Sequence, residues 1–450
     1  MNSARRIALD VLHQTTAGSR TLDHWLEAAE SRLMGLSMAD RALTHTLIYG
    51  TLRWQNRLDY QIDRLVKKPN RVDPKTRLIL RMALFQMHHL DRVPDSAVVH
   101  TAVELTKQIG RMWDAGFVNG VLRRATVVRE NIDWPDLKFS PAEAIATRHA
   151  MPQWLASRWI ARYGSVETLR LCETINTVPS LTIRTNTLKT SRENLIDAIC
   201  AEARQIDSTR YSPEGIVLSG LNKPFSNWSA FLNGWFQVQD EGAQMISHVL
   251  APQPGETIWD ACAGLGTKSA HMAQLMQNKG SITASDLHAF KLERLQNEMQ
   301  RLGISIAKTR CMDLNTTVPF ADLPVFDRIL VDAPCTGIGV LQKNPDGKWK
   351  VRPDDLAVNA RRQLAILDTT CHALRPGGML VYAVCSFEPE ENEGVVKAFL
   401  QKHPEFAITP PKMNSELCSK HLLTPEGWLK TYPHRHEMDG FFAALMVKYQ

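Results

Sequence analysis

Two short apolar runs in the final third of the chain lead into cysteines. One reads Arg328-Ile329-Leu330-Val331-Asp332-Ala333-Pro334-Cys335; the other, Met379-Leu380-Val381-Tyr382-Ala383-Val384-Cys385, places its thiol 50 residues later. A sulfur in such a position could pack as a small hydrophobe, ligate a metal or act as a nucleophile. No Cys-x-x-Cys pair occurs among the eight cysteines, so neither a zinc site nor a disulfide framework is expected. A single cysteine would be read as packing. Two at neighbouring strand ends, with Asp332 and Glu388, Glu390 and Glu391 beside them, point to a shared reactive cleft.

Acidic residues close the other apolar runs. Asp260-Ala261-Cys262-Ala263-Gly264-Leu265-Gly266-Thr267-Lys268 reads as a strand end turning into a helix, where small residues let a ligand approach the backbone and the free N–H groups. It is not a phosphate-binding G-x-x-x-x-G-K-[ST] loop, and with Ser269 it lacks the full G-x-G-x-x-G. Asp286 lies 20 residues after Gly266, where a carboxylate can accept from ribose hydroxyls. Asp313 ends a third run and could receive an adenine amino group. Alone, each aspartate reads equally as a helix N-cap. Together they fit a nucleotide ligand, either a dinucleotide or S-adenosylmethionine.

These residues need elements to carry them. From residue 241 onward, short apolar runs (ETIWDACAG, SITASDL, AKTRCMDL, DRILVDAPC, GMLVYAVCS) alternate with helical stretches such as FKLERLQNEMQRLG, which predicts a doubly wound α/β sheet with ligands at the carboxyl ends of its strands. Residues 1–135 show three-to-four apolar spacing in ARRIALDVLHQ, ADRALTHTLIYGTLRW, NRLDYQIDRLV, TRLILRMALFQMHHL, SAVVHTAVELTKQIG and GFVNGVLRRA, which predicts an all-α bundle. Residues 136–240 are expected to hold a linker (133–150), two helices in MPQWLASRWIARYGSVETLRLCETIN, and a small α+β insert. The division is therefore 1–135, 136–240 and 241–450.

The 450 residues carry a net charge of +6, with 44% hydrophobic and 22% charged side chains, a composition ordinary for a globular protein. The charge is unevenly placed. Residues 1–135 hold 20 Lys and Arg against 14 Asp and Glu, and the remainder holds 33 of each. A basic arm on a neutral body suggests a polyanionic partner, nucleic acid foremost. No secretory signal or membrane span is expected, which places the chain in the cytoplasm.

DACAGLGTK, VDAPCTGIGV with NPDGKW, and YAVCSFEPEENE resemble the motifs of the S-adenosylmethionine-dependent RNA cytosine-C5 methyltransferases. FVNGVLRR and the helices before it resemble the NusB-like RNA-binding domain, and RTNTLKTSRENL with FQVQDEGAQ resembles the insert. The order is similar to the Sun/Fmu (RsmB) branch, which acts on 16S ribosomal RNA. The resemblance spans nearly the whole chain. It departs at Leu265-Gly266-Thr267-Lys268-Ser269, where the family reads Pro-Gly-Gly-Lys-Thr, and at Val384, where it has Thr.

The resemblance implies a multidomain fold: a NusB-like bundle, an α+β insert and a Rossmann-like methyltransferase domain. It implies S-adenosyl-L-methionine as cofactor and 16S rRNA, naked or in an early small-subunit particle, as partner, with no metal and no membrane. Cys385 would be the attacking thiolate, Cys335 would assist release, and Asp332 would supply an acid near N3 of the cytosine. Cys262, Ala263, Gly264, Leu265, Gly266, Thr267, Lys268, Asp286, Asp313 and Asp332 would surround the cofactor. Lys348 and Trp349 could face RNA or form a packed loop. The competing readings are a tRNA cytosine-C5 methyltransferase, a non-catalytic RNA binder and a nicotinamide-dependent oxidoreductase.

Overall fold

The computed structural model describes residues 3–18, 20–128, 132–315, 323–413 and 416–449. They form two compact units: residues 1–177 with Leu341–Val351, and residues 178–340 with 352–450. No helix among the described residues is long and apolar enough to cross a membrane.

The first unit is all-helical. Its helices begin where their sequences supply caps. Ser3 accepts from Arg6 N ahead of Ala4–Ala17, and Asp73 accepts from the Lys75 and Thr76 amides ahead of Pro74–His89, with Pro74 at the first helical position. Their apolar stripes meet in a core that includes Ile7, Leu12, Leu47, Ile48, Ile62, Leu80, Val118 and Leu122. Two short helices, Leu22–Ala28 and Glu30–Met34, lie outside the stretches that periodicity singled out. The expected linker 133–150 contains a helix, Pro141–Arg148, whose Ala144 and Ile145 are buried. The two helices expected after Met151 occupy Gln153–Ile175 and meet at a kink at Gly164, whose φ of 78° no right-handed helix contains.

The excursion Leu341–Val351 belongs to this helical unit. Lys348 is 2% exposed. Its ammonium donates to Arg53 O (3.1 Å), Ala150 O (3.3 Å) and Asn176 Oδ1 (2.6 Å). Trp349 Nε1 donates to Leu52 O at 2.7 Å. Of the two roles open to this pair, the structure takes the packed loop; Lys348 is not an RNA-facing cation.

The second unit holds two sheets. The smaller is antiparallel, built from β1 (Leu181–Thr185), β2 (Ala203–Ser208), β3 (Gly215–Leu221) and β4 (Phe236–Val238) in the order β2-β3-β1-β4. The larger contains β5 (Thr257–Asp260), β6 (Ser281–Asp286), β7 (Ala307–Cys311), β8 (Phe326–Asp332), β9 (Leu374–Val384), β10 (Phe406–Ile408), β11 (Leu429–Lys430) and β12 (Phe442–Lys448), in the order β10-β12-β9-β8-β5-β6-β7 with β11 on β12. From β9 to β7 the strands are parallel, and β12 runs antiparallel to β9. The strand order reverses at β5, so a crevice opens outside the carboxyl ends of β5 and β8. The runs ending in Asp260, Asp286, Asp332 and Val384 are all strands, and β8 and β9 are neighbours.

Burial lowers the Lys348 ammonium to about 7. In the unfolded chain the group titrates at about 10.4, so between these values the folded state binds fewer protons and stability rises with pH. Relative to Lys348→Met, the wild type should gain stability as pH rises through that window. Urea unfolding of both proteins at about pH 7 and about pH 9.5 checks this; an unchanged difference would contradict it.

Candidate active site

The first strand ends in the turn expected to take a ligand. Asp260 is buried, accepts from Ser269 Oγ at 2.6 Å, and burial raises its carboxyl to about 7. Gly264 and Gly266 have φ of 57° and 82°. At Gly266 a β-carbon would come within 2.4 Å of the Leu295 side chain, so a side chain there is excluded on both counts. The turn is pinned from β6: Ala263 N donates to Ser285 O (2.8 Å) and Gly264 N to Asp286 Oδ2 (3.1 Å). Asp286 also accepts from His288 N (2.9 Å) and faces the Lys291 ammonium at 3.6 Å.

A cavity of about 340 Å³ opens at these strand ends, lined by residues that include Cys262, Gly264, Asp286, Asp313, Asp332 and Arg362. Five of the ten expected cofactor residues thus line it. Ala263, Leu265, Gly266, Thr267 and Lys268 do not; they belong to the turn and the start of the helix Thr267–Leu275. Leu265 is half exposed. Asp313 accepts from the amide and the side chain of Asn315, both at 2.9 Å, which holds its carboxyl below its ordinary value.

Lys268 reaches across from this turn to β8. Its ammonium lies 2.6 Å from Asp332 Oδ2. Burial acts to lower the Lys268 pKa, but the Asp332 carboxylate outweighs it and the net direction is upward; the Cys385 sulfur adds to the same effect. Asp332, Lys268 and Cys385 therefore form one electrostatic group.

The two sulfurs meet. Cys335 Sγ and Cys385 Sγ are 3.3 Å apart, and both residues are half-buried. Hydrogen bonding to Cys385, then burial, holds the Cys335 thiol well above its ordinary pKa. Their loops are fixed by backbone contacts: Gly339 N donates to Cys385 O, and Gly440 N to Gly339 O, each at 2.9 Å. A β-carbon on Gly339 would stand 1.9 Å from Gly440 O.

Of the acids beside Cys385, Glu391 has a clear task. It is fully buried and accepts from Thr336 N (2.9 Å), Thr336 Oγ1 (2.5 Å) and Gln363 Nε2 (3.1 Å). Gln363 also donates to Pro334 O at 3.0 Å, and Tyr382 OH lies 3.0 Å from Gln363 Oε1. This network buttresses the Pro334-Cys335-Thr336 bend from behind. Gln363 and Tyr382 carried no signal of this in the sequence beyond being polar groups on otherwise apolar faces. Val384, in place of the family's threonine, is buried in the apolar cluster around Tyr382 and Phe442.

One further group deserves comparison with metal ligands. Among the described residues, Glu214, His248 and His271 bring ligand-type atoms within 4.8 Å of one another. The single carboxylate already bonds His248 Nε2 (3.0 Å) and Ser212 Oγ (3.1 Å). The buried Arg184 guanidinium also acts on both Glu214 and His271. A divalent ion here would add positive charge to a buried site whose one anion is already balanced.

Comparison with known proteins matches residues 247–447 to the family described as 16S rRNA methyltransferase RsmB/F, residues 2–126 to the NusB family, and residues 151–223 to an RsmF/B-like ferredoxin-like domain. The chain is 36% identical to the probable ribosomal RNA small subunit methyltransferase B of Bacillus subtilis, over 99% of each chain. It is 34% identical to the protein of the same description from Synechocystis, over the full length of both. Among solved structures, PH0851 superimposes with a TM-score of 0.82 at 27% identity, covering 100% of this chain and 99% of that one. NSun6 from Pyrococcus horikoshii with SFG gives 0.59 at 25% identity, over 67% of this chain and 99% of that one.

Gly339→Ala should force the two cysteine loops apart. A loss of about 1–3 kcal/mol, typical of overpacking, is expected in chemical denaturation. Unchanged stability would mean that the contact between Gly339 and Gly440 is slack.

Proposed function

Because this chain belongs to the RsmB/F family of 16S rRNA methyltransferases, we propose that it transfers a methyl group from S-adenosyl-L-methionine to C5 of a cytosine in 16S ribosomal RNA through a covalent cysteine–C6 intermediate. The observation that carries this reading is the pair of sulfurs 3.3 Å apart, with Cys335 one residue after Pro334 of the cavity wall. A nicotinamide enzyme or a pure RNA binder has no use for such a pair. The SFG in the NSun6 structure, an S-adenosylmethionine analogue, supports the cofactor.

Cytosine C5 is too weak a nucleophile to take a methyl group from a sulfonium unaided. Addition of the Cys385 thiolate to C6 makes the ring an enamine, and C5 then displaces S-adenosylhomocysteine. Asp332, in proton exchange with the Lys268 ammonium, serves the ring at N3 as electron density arrives there. A base then removes the C5 proton, and the electron pair of that C–H bond restores the double bond and expels Cys385.

The local electrostatics support this division of roles between the sulfurs. Hydrogen bonding to Cys385 and burial hold the Cys335 thiol above its ordinary pKa, which favours Cys385 as the attacking sulfur, and the Cys385 sulfur acts on the Lys268 ammonium. Once Cys385 is bonded to C6 it is a neutral thioether. The largest influence holding the Cys335 proton is then gone, and Cys335 becomes competent as the base of the second half.

Cys262, Ala263, Gly264, Leu265, Gly266, Thr267 and Lys268 form the cofactor turn, Asp286 receives the ribose and Asp313 the adenine. Residues 1–135 act as the RNA-binding arm, residues 136–240 as linker and insert, and residues 241–450 as the catalytic domain. The target cytosine must be unpaired or flipped out of a helix to reach the sulfurs.

Cys385→Ala should abolish methylation and form no adduct. Cys335→Ala should attack and then stall, giving a protein–RNA band that survives denaturing electrophoresis in the presence of S-adenosylmethionine. Adducts from Cys385→Ala alone would reverse the assignment, and retained activity in both variants would end it. Asp286→Ala should weaken S-adenosylmethionine binding about tenfold or more, roughly 1.4 kcal/mol. Calorimetric titration reads this directly, and unchanged affinity in a folded variant would remove Asp286 from the site. Bisulfite sequencing of ribosomal RNA from cells with and without the protein tests the reaction itself.

A further inference from the structure

Arg184 is 1% exposed, yet it sits on β1 of the four-stranded sheet, outside every motif that the chemistry uses. Burying a guanidinium is costly unless its donors are filled. Here the acceptors come from two directions. Within its own sheet and the adjoining segment, Nη2 donates to Gln237 Oε1 at 2.9 Å and Nη1 donates to Gln239 Oε1. From the catalytic domain, Thr267 O accepts from Nη1 at 3.0 Å and Gln274 Oε1 from Nε at 3.3 Å.

Thr267 and Gln274 are the first and eighth residues of the helix Thr267–Leu275, which opens the cofactor turn. Thr267 follows Gly266, whose left-handed conformation makes the bend, and precedes Lys268, whose ammonium is committed to Asp332. The Thr267 carbonyl orients the peptide that joins it to Lys268. A donor fixed on that oxygen fixes the plane of that peptide.

We propose that Arg184 is a positioning residue for the cofactor turn, acting through Thr267 and Gln274 so that the seating of the insert sheet sets the backbone from which Lys268 reaches Asp332. Arg184 is buried and does not line the cavity, so it acts through the groups it bonds. Its planar fork lets one side chain serve both the sheet and the helix, which a lysine's point charge does only in part. The insert is thereby more than an RNA-holding module, because the cofactor site is complete only when β1 is docked. This rests on the reading of residues 262–268 as the cofactor turn.

A neighbouring contact supplies a control. Asn186 also ties the insert to the catalytic domain, donating to Gly234 O (2.8 Å) and to Leu302 O (2.9 Å), but its acceptor there lies at the end of the helix Ala289–Leu302 and not on the helix Thr267–Leu275 that opens the turn. The experiment measures the dissociation constant of S-adenosylhomocysteine by calorimetry, together with melting temperature, for the full-length wild type, Arg184→Met, Arg184→Lys and Asn186→Ala. Arg184→Met should weaken binding about tenfold, Arg184→Lys should recover part of that loss, and Asn186→Ala should lower the melting temperature while leaving affinity within about twofold. Should Arg184→Met not fold, Gln274→Leu removes only the acceptor on the helix and should weaken binding about threefold. Unchanged affinity in Arg184→Met, or in Gln274→Leu if that variant stands in for it, overturns the proposal. So does an equal loss in Asn186→Ala, which would reduce Arg184 to general stability. A wild type that binds no S-adenosylhomocysteine overturns the cofactor reading instead.

Discussion

The ion pair between Lys268 and Asp332 joins the two halves of the site. One partner lies in the first turn of the helix after β5 and the other ends β8, so a contact of 2.6 Å spans the crevice that the reversal of strand order leaves. Removing two charges from water is expensive, and a buried pair persists only where its geometry is good and its surroundings are polar. That requirement reaches outward. The turn must bend through two left-handed glycines to bring Lys268 forward, Asp286 must hold the turn from β6, and the Cys335 bend must begin directly after Asp332.

A second constraint acts on the thiols. A protein that brings two sulfurs to 3.3 Å has to keep two loops from relaxing apart, since each could be more comfortable alone. Glu391, Gln363 and Tyr382 hold one loop with hydrogen bonds at fixed directions, while the glycine contact at Gly339 lets the backbones close on each other. Polar directionality and the absence of a side chain perform the same task by different means.

The sequence displayed the catalytic half well because parallel strands buried on both faces read as continuous apolar runs, and their polar ends stand out against them. Asp260, Asp286, Asp332 and Cys385 were legible for that reason, as was the adjacency of β8 and β9. Periodicity found the helical unit but passed over Leu22–Ala28 and Glu30–Met34, each too short to establish a repeat, and Pro141–Arg148, whose leading proline and brevity resemble a linker. The bonding roles of Gln363, Tyr382 and Arg184 were hidden for another reason, although Tyr382 and Arg184 open two of the stretches that carry the family resemblance. Their importance lies in partners 9 to 90 residues away, and no local pattern marks a polar group whose acceptors are remote. For Lys348 the sequence left an RNA-facing cation and a packed loop open, because lysine is usually exposed; only three-dimensional packing supplies the three acceptors that let it be buried.

The excursion Leu341–Val351 bears on how this protein can be taken apart. The chain passes between its two compact units at 177/178, 340/341 and 351/352, so the helical unit is not a bead on a single string. Cutting away the first 135 residues would strip Lys348 and Trp349 of the Arg53 and Leu52 carbonyls and leave the Lys348 ammonium, rooted just after the Cys335 loop, with only the Ala150 and Asn176 acceptors. A clean catalytic fragment therefore requires redesign of these eleven residues as well as a new start codon. The same holds for evolution by domain shuffling: loss of the amino-terminal helices must be matched by an internal change 295 residues beyond Arg53.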